Sequence, residues 1–177
     1  MLDILAIVAA VLLFAIAVVL ILAANKPDEF RVARSASIQA PPEKIAPYIN
    51  DLRRHIEWSP WEKMDPAMIR SFSGNPAGVG QHYNWDSKKQ VGAGSLQITE
   101  ITAGKTRMNL DFTRPFKSNN FVEFAFEPKG DATQVTWSMN GITPFWAKIM
   151  HVFCNAEKMC GDAFNQGLSD LKLLAEK

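Results

Sequence analysis

The sequence predicts an α+β protein in which a twisted antiparallel sheet of seven strands curls around one long carboxy-terminal helix, preceded by a separate apolar helix. Three observations carry this. Residues Ile4 to Ala24 run for 21 positions without a charged or polar side chain. From residue 67, short runs rich in β-branched and aromatic residues are separated by glycine and proline punctuation. Beyond Pro144 the apolar period changes to three and four.

The apolar run comes first. At about 1.5 Å per residue a helix of this length is roughly 31 Å long and matches a bilayer hydrocarbon core. Helical backbone satisfies its own hydrogen bonds, so the run can span lipid alone. A secretory signal would need a basic start and a shorter apolar stretch, whereas Met1-Leu2-Asp3 carries no Lys or Arg. The expectation is an uncleaved anchor over residues 1–25, a short linker over 26–29 and one domain over 30–177. Lys26, Arg31 and Arg34 follow the span and no basic side chain precedes it, which places the domain on the cytoplasmic side.

The elements after the anchor follow in order. Phe30–Ile38 alternates as a strand, and Pro41-Pro42 ends it and suits the first turn of a helix over 43–50. An irregular or helical piece runs through His55 to Trp58, with turns at Pro60 and Pro66. Six further strands are expected over 67–73, 79–86, 91–101, 106–114, 118–127 and 133–142, joined mostly by short turns in an antiparallel meander. Ile149, Phe153, Ala156, Cys160, Ala163, Gly167, Leu171 and Leu174 then mark a single amphipathic helix reaching almost to the end. Its apolar stripe needs a large surface, and the sheet supplies one.

Composition narrows the function classes. All 19 Lys and Arg, and all but one of the 18 Asp and Glu, lie beyond residue 25. The domain is therefore nearly neutral and lacks the basic stripe of a nucleic-acid binder. The two cysteines, Cys154 and Cys160, sit six apart on the expected helix, about 120° out of alignment around its axis, and form no disulfide framework.

This order of elements, with the segment Asn50-Asp51-Leu52-Arg53-Arg54-His55-Ile56-Glu57-Trp58-Ser59-Pro60-Trp61, resembles the START-like helix-grip superfamily. More narrowly it is similar to the polyketide cyclase/dehydrase-type branch of SRPBCC proteins. Ser73-Gly74, Gly78-Val79-Gly80, Val91-Gly92-Ala93-Gly94 and Val135-Thr136-Trp137-Ser138-Met139 extend the likeness over residues 30–177. The resemblance implies a hydrophobic cavity between sheet and helix, and it carries over no catalytic residue.

Catalytic patterns are not visible. His55, His82 and His151 are widely separated, and no HExxH or CxxC spacing exists for a metal. There is no GxSxG elbow and no phosphate-cradling glycine loop. Alternation turns Asp111 and Glu123 away from the apolar face of their strands, towards solvent.

The apolar faces themselves form the candidate ligand site. Met108, Leu110 and Phe112 share one face of a strand, as do Phe124 and Phe126 on the next, and Trp137 and Met139 on the last. Tyr83 and Trp85 are an inward pair on an earlier strand, while Phe153 and Phe164 come from the carboxy-terminal helix. Trp58 and Trp61 flank Ser-Pro on a short rigid connection, where they plug the open end of the sheet or rim a cavity mouth. The expected function is a membrane-anchored binding protein for a lipid, quinone or isoprenoid, with no cofactor. Alternatives are a cyclase/dehydratase-like enzyme and an accessory subunit of a membrane protein complex.

Overall fold

The computed structural model describes residues 2–153 and 156–177, and it falls into two compact units. The first comprises Met1–Phe30 with Ile142–Ala156; the second comprises Arg31–Gly141 with Glu157–Lys177.

In the first unit, α1 (Leu2–Ala24) is long and apolar enough to cross a bilayer. It packs with α5 (Phe145–Phe153). The backbone N–H of Thr143 donates to the Asp28 carbonyl at 2.7 Å, and Lys148 Nζ lies 2.6 Å from Asp28 Oδ1. These two bonds fix the start of α5 to the residues just beyond α1.

The second unit is built on one seven-stranded sheet. Its strands are β1 (Glu29–Ile38), β2 (Ile69–Gly74), β3 (Gln81–Asp86), β4 (Ala93–Ile101), β5 (Lys105–Arg114), β6 (Ser118–Lys129) and β7 (Ala132–Ile142). Their spatial order is β1-β7-β6-β5-β4-β3-β2. Six strands form a meander of antiparallel neighbours, because each connection from β2 to β7 is short enough to turn back directly. Strands β1 and β2 occupy opposite edges. The chain crosses between them through α2 (Pro42–Asn50), a 3-10 turn (Leu52–Arg54), α3 (His55–Trp58) and α4 (Pro60–Met64).

That crossing is tied to the sheet by Gln81, which is fully buried at the start of β3. Its Oε1 accepts from the Leu52 N–H at 2.7 Å, and its Nε2 donates to Asp51 Oδ1 and the Pro76 carbonyl at 2.9 and 2.8 Å. A buried amide with all these bonds made is rigid, so the register between β3 and the helices is fixed. Ile45 and Ile49 of α2 are completely buried, one turn apart.

The sheet grips α6 (Ala156–Ala175), whose buried stripe is Phe164, Leu168, Leu171 and Ala175. Of the single long helix expected after Pro144, the described residues form helix over Phe145–Phe153 (α5) and Ala156–Ala175 (α6). Cys154 lies outside the described residues.

Contact between α6 and the sheet is aromatic. Trp137 of β7 stacks on Phe164 with centroids 4.2 Å apart and planes within 6°. It comes this close because residue 167 of α6 is glycine. A Cβ there would stand 2.8 Å from the Trp137 ring and 3.0 Å from Pro60 Cδ. Gly167→Ala is therefore expected to lower stability by about 1–2 kcal/mol, as overpacking against two rigid rings outweighs the helix-propensity gain. Thermal unfolding of the full-length protein in detergent checks it; an unchanged or raised midpoint would show that the ring has room to move.

Candidate ligand cavity

Between the sheet and α6 lies a cavity of about 210 Å³. Cross-strand pairing builds its floor. Tyr83 of β3 faces Leu96 of β4, which faces Leu110 of β5; Met108 faces Val122, which faces Met139; Phe124 faces Trp137. Each of these side chains lines the cavity. Gly94 lies opposite both Trp85 and Phe112. Without a side chain there, those two rings meet edge to face at 5.6 Å. A Cβ at Gly94 would stand 2.7 Å from the Trp85 ring.

The crossing helices form one wall with His55, Trp58, Ser59, Trp61 and Glu62, and α6 closes the other side with Cys160 and Phe164. Trp58 is almost wholly buried, its Nε1–H donating to the Tyr48 carbonyl at 2.9 Å. Trp61 is half-buried and meets Trp137 and Phe164 edge to face at 5.4 and 6.0 Å. Trp58 is thus sealed into the wall while Trp61 is partly exposed.

Of the residues expected to line the cavity, Trp58, Trp61, Tyr83, Trp85, Met108, Leu110, Phe112, Phe124, Trp137, Met139 and Phe164 are on its wall. Phe126 is buried two residues beyond Phe124 on the same strand face, past the cavity's end. Phe153 lies on α5 and is 70% exposed. It joined the expected set through the continuous helical stripe, whose apolar arc at this end is exposed.

The sequence reading missed the polar groups. Glu62 is buried, with Oε1 accepting from the Tyr83 hydroxyl at 2.5 Å and Oε2 accepting from Arg70 Nε at 2.6 Å. Burial, followed by the neighbouring Glu62 carboxylate, pushes the Tyr83 phenol well above its ordinary range, so it stays a neutral donor. No helical spacing marks Glu62, because Trp58 and Glu62 lie on separate short helices with Ser59 extended between them. The two carboxylates expected to face solvent are engaged with surface partners: Glu123 pairs with Arg107 at 2.6 Å, and Asn119 donates to Asp111 at 2.6 Å.

Two other groups complete the wall chemistry. Burial pushes the Cys160 thiol up, which disfavours the thiolate a nucleophile needs. Trp137 Nε1 is buried and has no hydrogen-bond partner among the described residues. Also among the described residues, no three His, Cys, Asp or Glu side chains converge as a metal site would need.

His55 contacts the Ile49 carbonyl through Nε2 at 3.1 Å, and a carbonyl only accepts, so Nε2 carries the proton. Burial pulls its pKa down to about 4, against smaller opposing effects of the Ile49 carbonyl and Asp51. Nδ1 of this neutral ring is an acceptor. The folded pKa lies below the ordinary 6.5. The unfolded chain thus takes the proton first, and stability is complete above about pH 6.5 and lost as pH falls towards 4. Between pH 7.5 and 5.5 the wild type is expected to lose about 1 kcal/mol more than His55→Asn. Parallel melts at the two pH values check this; equal losses would mean that folding leaves the ring's pKa unchanged.

The comparisons with known proteins agree with this architecture. Protein CV1439 of Chromobacterium violaceum is 17% identical, with a TM-score of 0.59 over 86% of this chain and 99% of its own. Protein MLL2253 of Mesorhizobium loti is also 17% identical, with a TM-score of 0.59 over 82% and 96%. The Aha1 dimer of Colwellia psychrerythraea gives 15% identity and 0.58 over 83% and 96%. At these identities the likeness shows the fold alone. No match is found among the curated proteins. The family model described as polyketide cyclase / dehydrase and lipid transport matches residues 29–176, and the chain belongs to that family.

Proposed function

We propose that this protein is a membrane-anchored binding protein for a small hydrophobic molecule held between the sheet and α6. The cavity carries the reading, since its wall is apolar and aromatic on every element, with polar atoms at a few defined points. The family description, which includes lipid transport, supports the same ligand class. Helix α1, apolar from Ile4 to Ala24 and exposed along most of that run, supports an anchor that holds the cavity near molecules dissolved in lipid. The basic residues that follow it favour a cytoplasmic domain.

Size limits the ligand. A volume of about 210 Å³ is below the usual range of drug-sized pockets, about 300–1,000 Å³. It suits a compact lipophile, or the ring or chain end of a larger one, better than a whole lipid.

Uptake of geraniol by the full-length protein in nanodiscs tests the reading, because Trp58, Trp61, Trp85 and Trp137 report on the cavity through their fluorescence. A saturable change is expected, and Leu110→Trp, which fills the space from β5, should abolish it while the protein stays folded. Identical titrations of wild type and variant would exclude the cavity as the site.

The buried Glu62 carboxylate favours a second reading, a cyclase- or dehydratase-like enzyme, since such a group is what acid–base work in the cavity needs. Both its oxygens are already engaged by Tyr83 and Arg70, which speaks for positioning over proton transfer. Glu62→Gln separates the two readings. A binding protein should lose at most about tenfold in geraniol affinity, the worth of one hydrogen bond; loss of a product-forming activity at unchanged affinity would establish the enzyme.

A further inference from the structure

Helix α5 is apolar on the face it exposes and charged on the face it covers. At 100° per residue, Phe145, Trp146, Ile149, Met150 and Phe153 fall within an arc of about 140°. Phe145, Trp146, Met150 and Phe153 are 49%, 41%, 49% and 70% exposed. Lys148 and His151 lie on the opposite side, where Lys148 is buried and bonded to Asp28. Ile142, just before the helix, is also exposed. A water-facing helix has the reverse arrangement, and a contiguous exposed apolar face of this kind marks an interaction surface.

The position of α5 identifies what covers that face. Asp28, which holds both Thr143 and Lys148, is four residues beyond the last residue of α1. Four residues reach at most about 14 Å, so the start of α5 stays at the level where α1 ends. Helix α5 also packs on α1, whose only covered side chains among the described residues are Val19 and Ala23, one turn apart near its end. The exposed face of α5 is thus continuous with the apolar surface of α1. Tryptophan and phenylalanine at that level match the interfacial layer of a bilayer, and a charged side chain turned away from it avoids desolvation there.

We infer that α5 lies in the interface of the same bilayer that α1 spans, its Phe145, Trp146, Met150 and Phe153 face covered by lipid. The inference rests on the anchor reading of α1. An environment-sensitive fluorophore attached at Phe153→Cys or Met150→Cys tests it, in full-length protein with Cys154→Ser and Cys160→Ser, reconstituted in nanodiscs. Leu12→Cys in α1 is the reference position. Lipids brominated on their acyl chains are expected to quench the label at all three positions, while aqueous iodide quenches none strongly.

Quenching by brominated lipid at Leu12 with quenching by iodide at 150 and 153 would overturn the inference and leave the anchor intact. Shielding of 150 and 153 from both quenchers would overturn it in favour of a second copy or another protein on that face. No lipid quenching at any position would remove the anchor reading and this inference with it.

Discussion

The stack of Trp137 on Phe164 is the contact on which the cavity depends. It joins the middle of β7 to the middle of α6 at 4.2 Å and fixes how closely the helix approaches the sheet. Trp58, Trp61 and Phe124 surround the same indole at 5.4, 5.4 and 5.0 Å. The crossing helices, the sheet and α6 thus meet at one side chain. Gly167 provides the clearance for this approach and Gly94 the clearance for Trp85 on Phe112. Interiors close-pack by default, and here the rings held against one another are themselves the wall of the remaining space.

Much of this was legible in the sequence. Strand β5 was expected over 106–114 and is observed as Lys105–Arg114, while β1 was expected over Phe30–Ile38 and is observed as Glu29–Ile38. Alternation with a period of two reports directly which side chains share a sheet face. The wall residues on β3, β5, β6 and β7 were readable for that reason. Where the cavity stops along a strand is not a local property. Phe126 has the same alternation as Phe124 and is separated from the cavity only by tertiary packing.

Illegible features fall into two kinds. The change of surroundings along the carboxy-terminal stripe is hidden because α5 and α6 both bear apolar residues at three- and four-residue spacing, though α5 exposes its apolar arc and α6 buries its own. A hydrophobic period shows that a face is apolar and not what it faces, which is why Phe153 was grouped with Phe164. The polar wall was hidden for a different reason. Glu62 acquires its setting from Tyr83, 21 residues away, and Arg70. A pairing of that kind leaves no spacing signature.

Those hidden polar groups have a particular weight if the ligand comes from a bilayer. Moving an apolar molecule from water into an apolar cavity gains about 25 cal/mol per Å². Moving it from lipid gains almost nothing by that route, since acyl chains are as apolar as the Phe, Leu and Met side chains of the wall. Ring packing and hydrogen bonding must then supply the difference between a ligand and the surrounding lipid. The wall offers the Glu62 carboxylate and Tyr83 hydroxyl at one place, the neutral His55 ring nearby, and the unpaired indole N–H of Trp137. Glu62 and Tyr83 already satisfy each other, so it is the Trp137 N–H, without a partner among the described residues, whose desolvation cost a ligand acceptor recovers and a plain hydrocarbon does not. On this argument the apolar wall admits the ligand class and the few polar groups choose its member, so an oxygen-bearing lipophile fits this cavity better than a hydrocarbon of equal size.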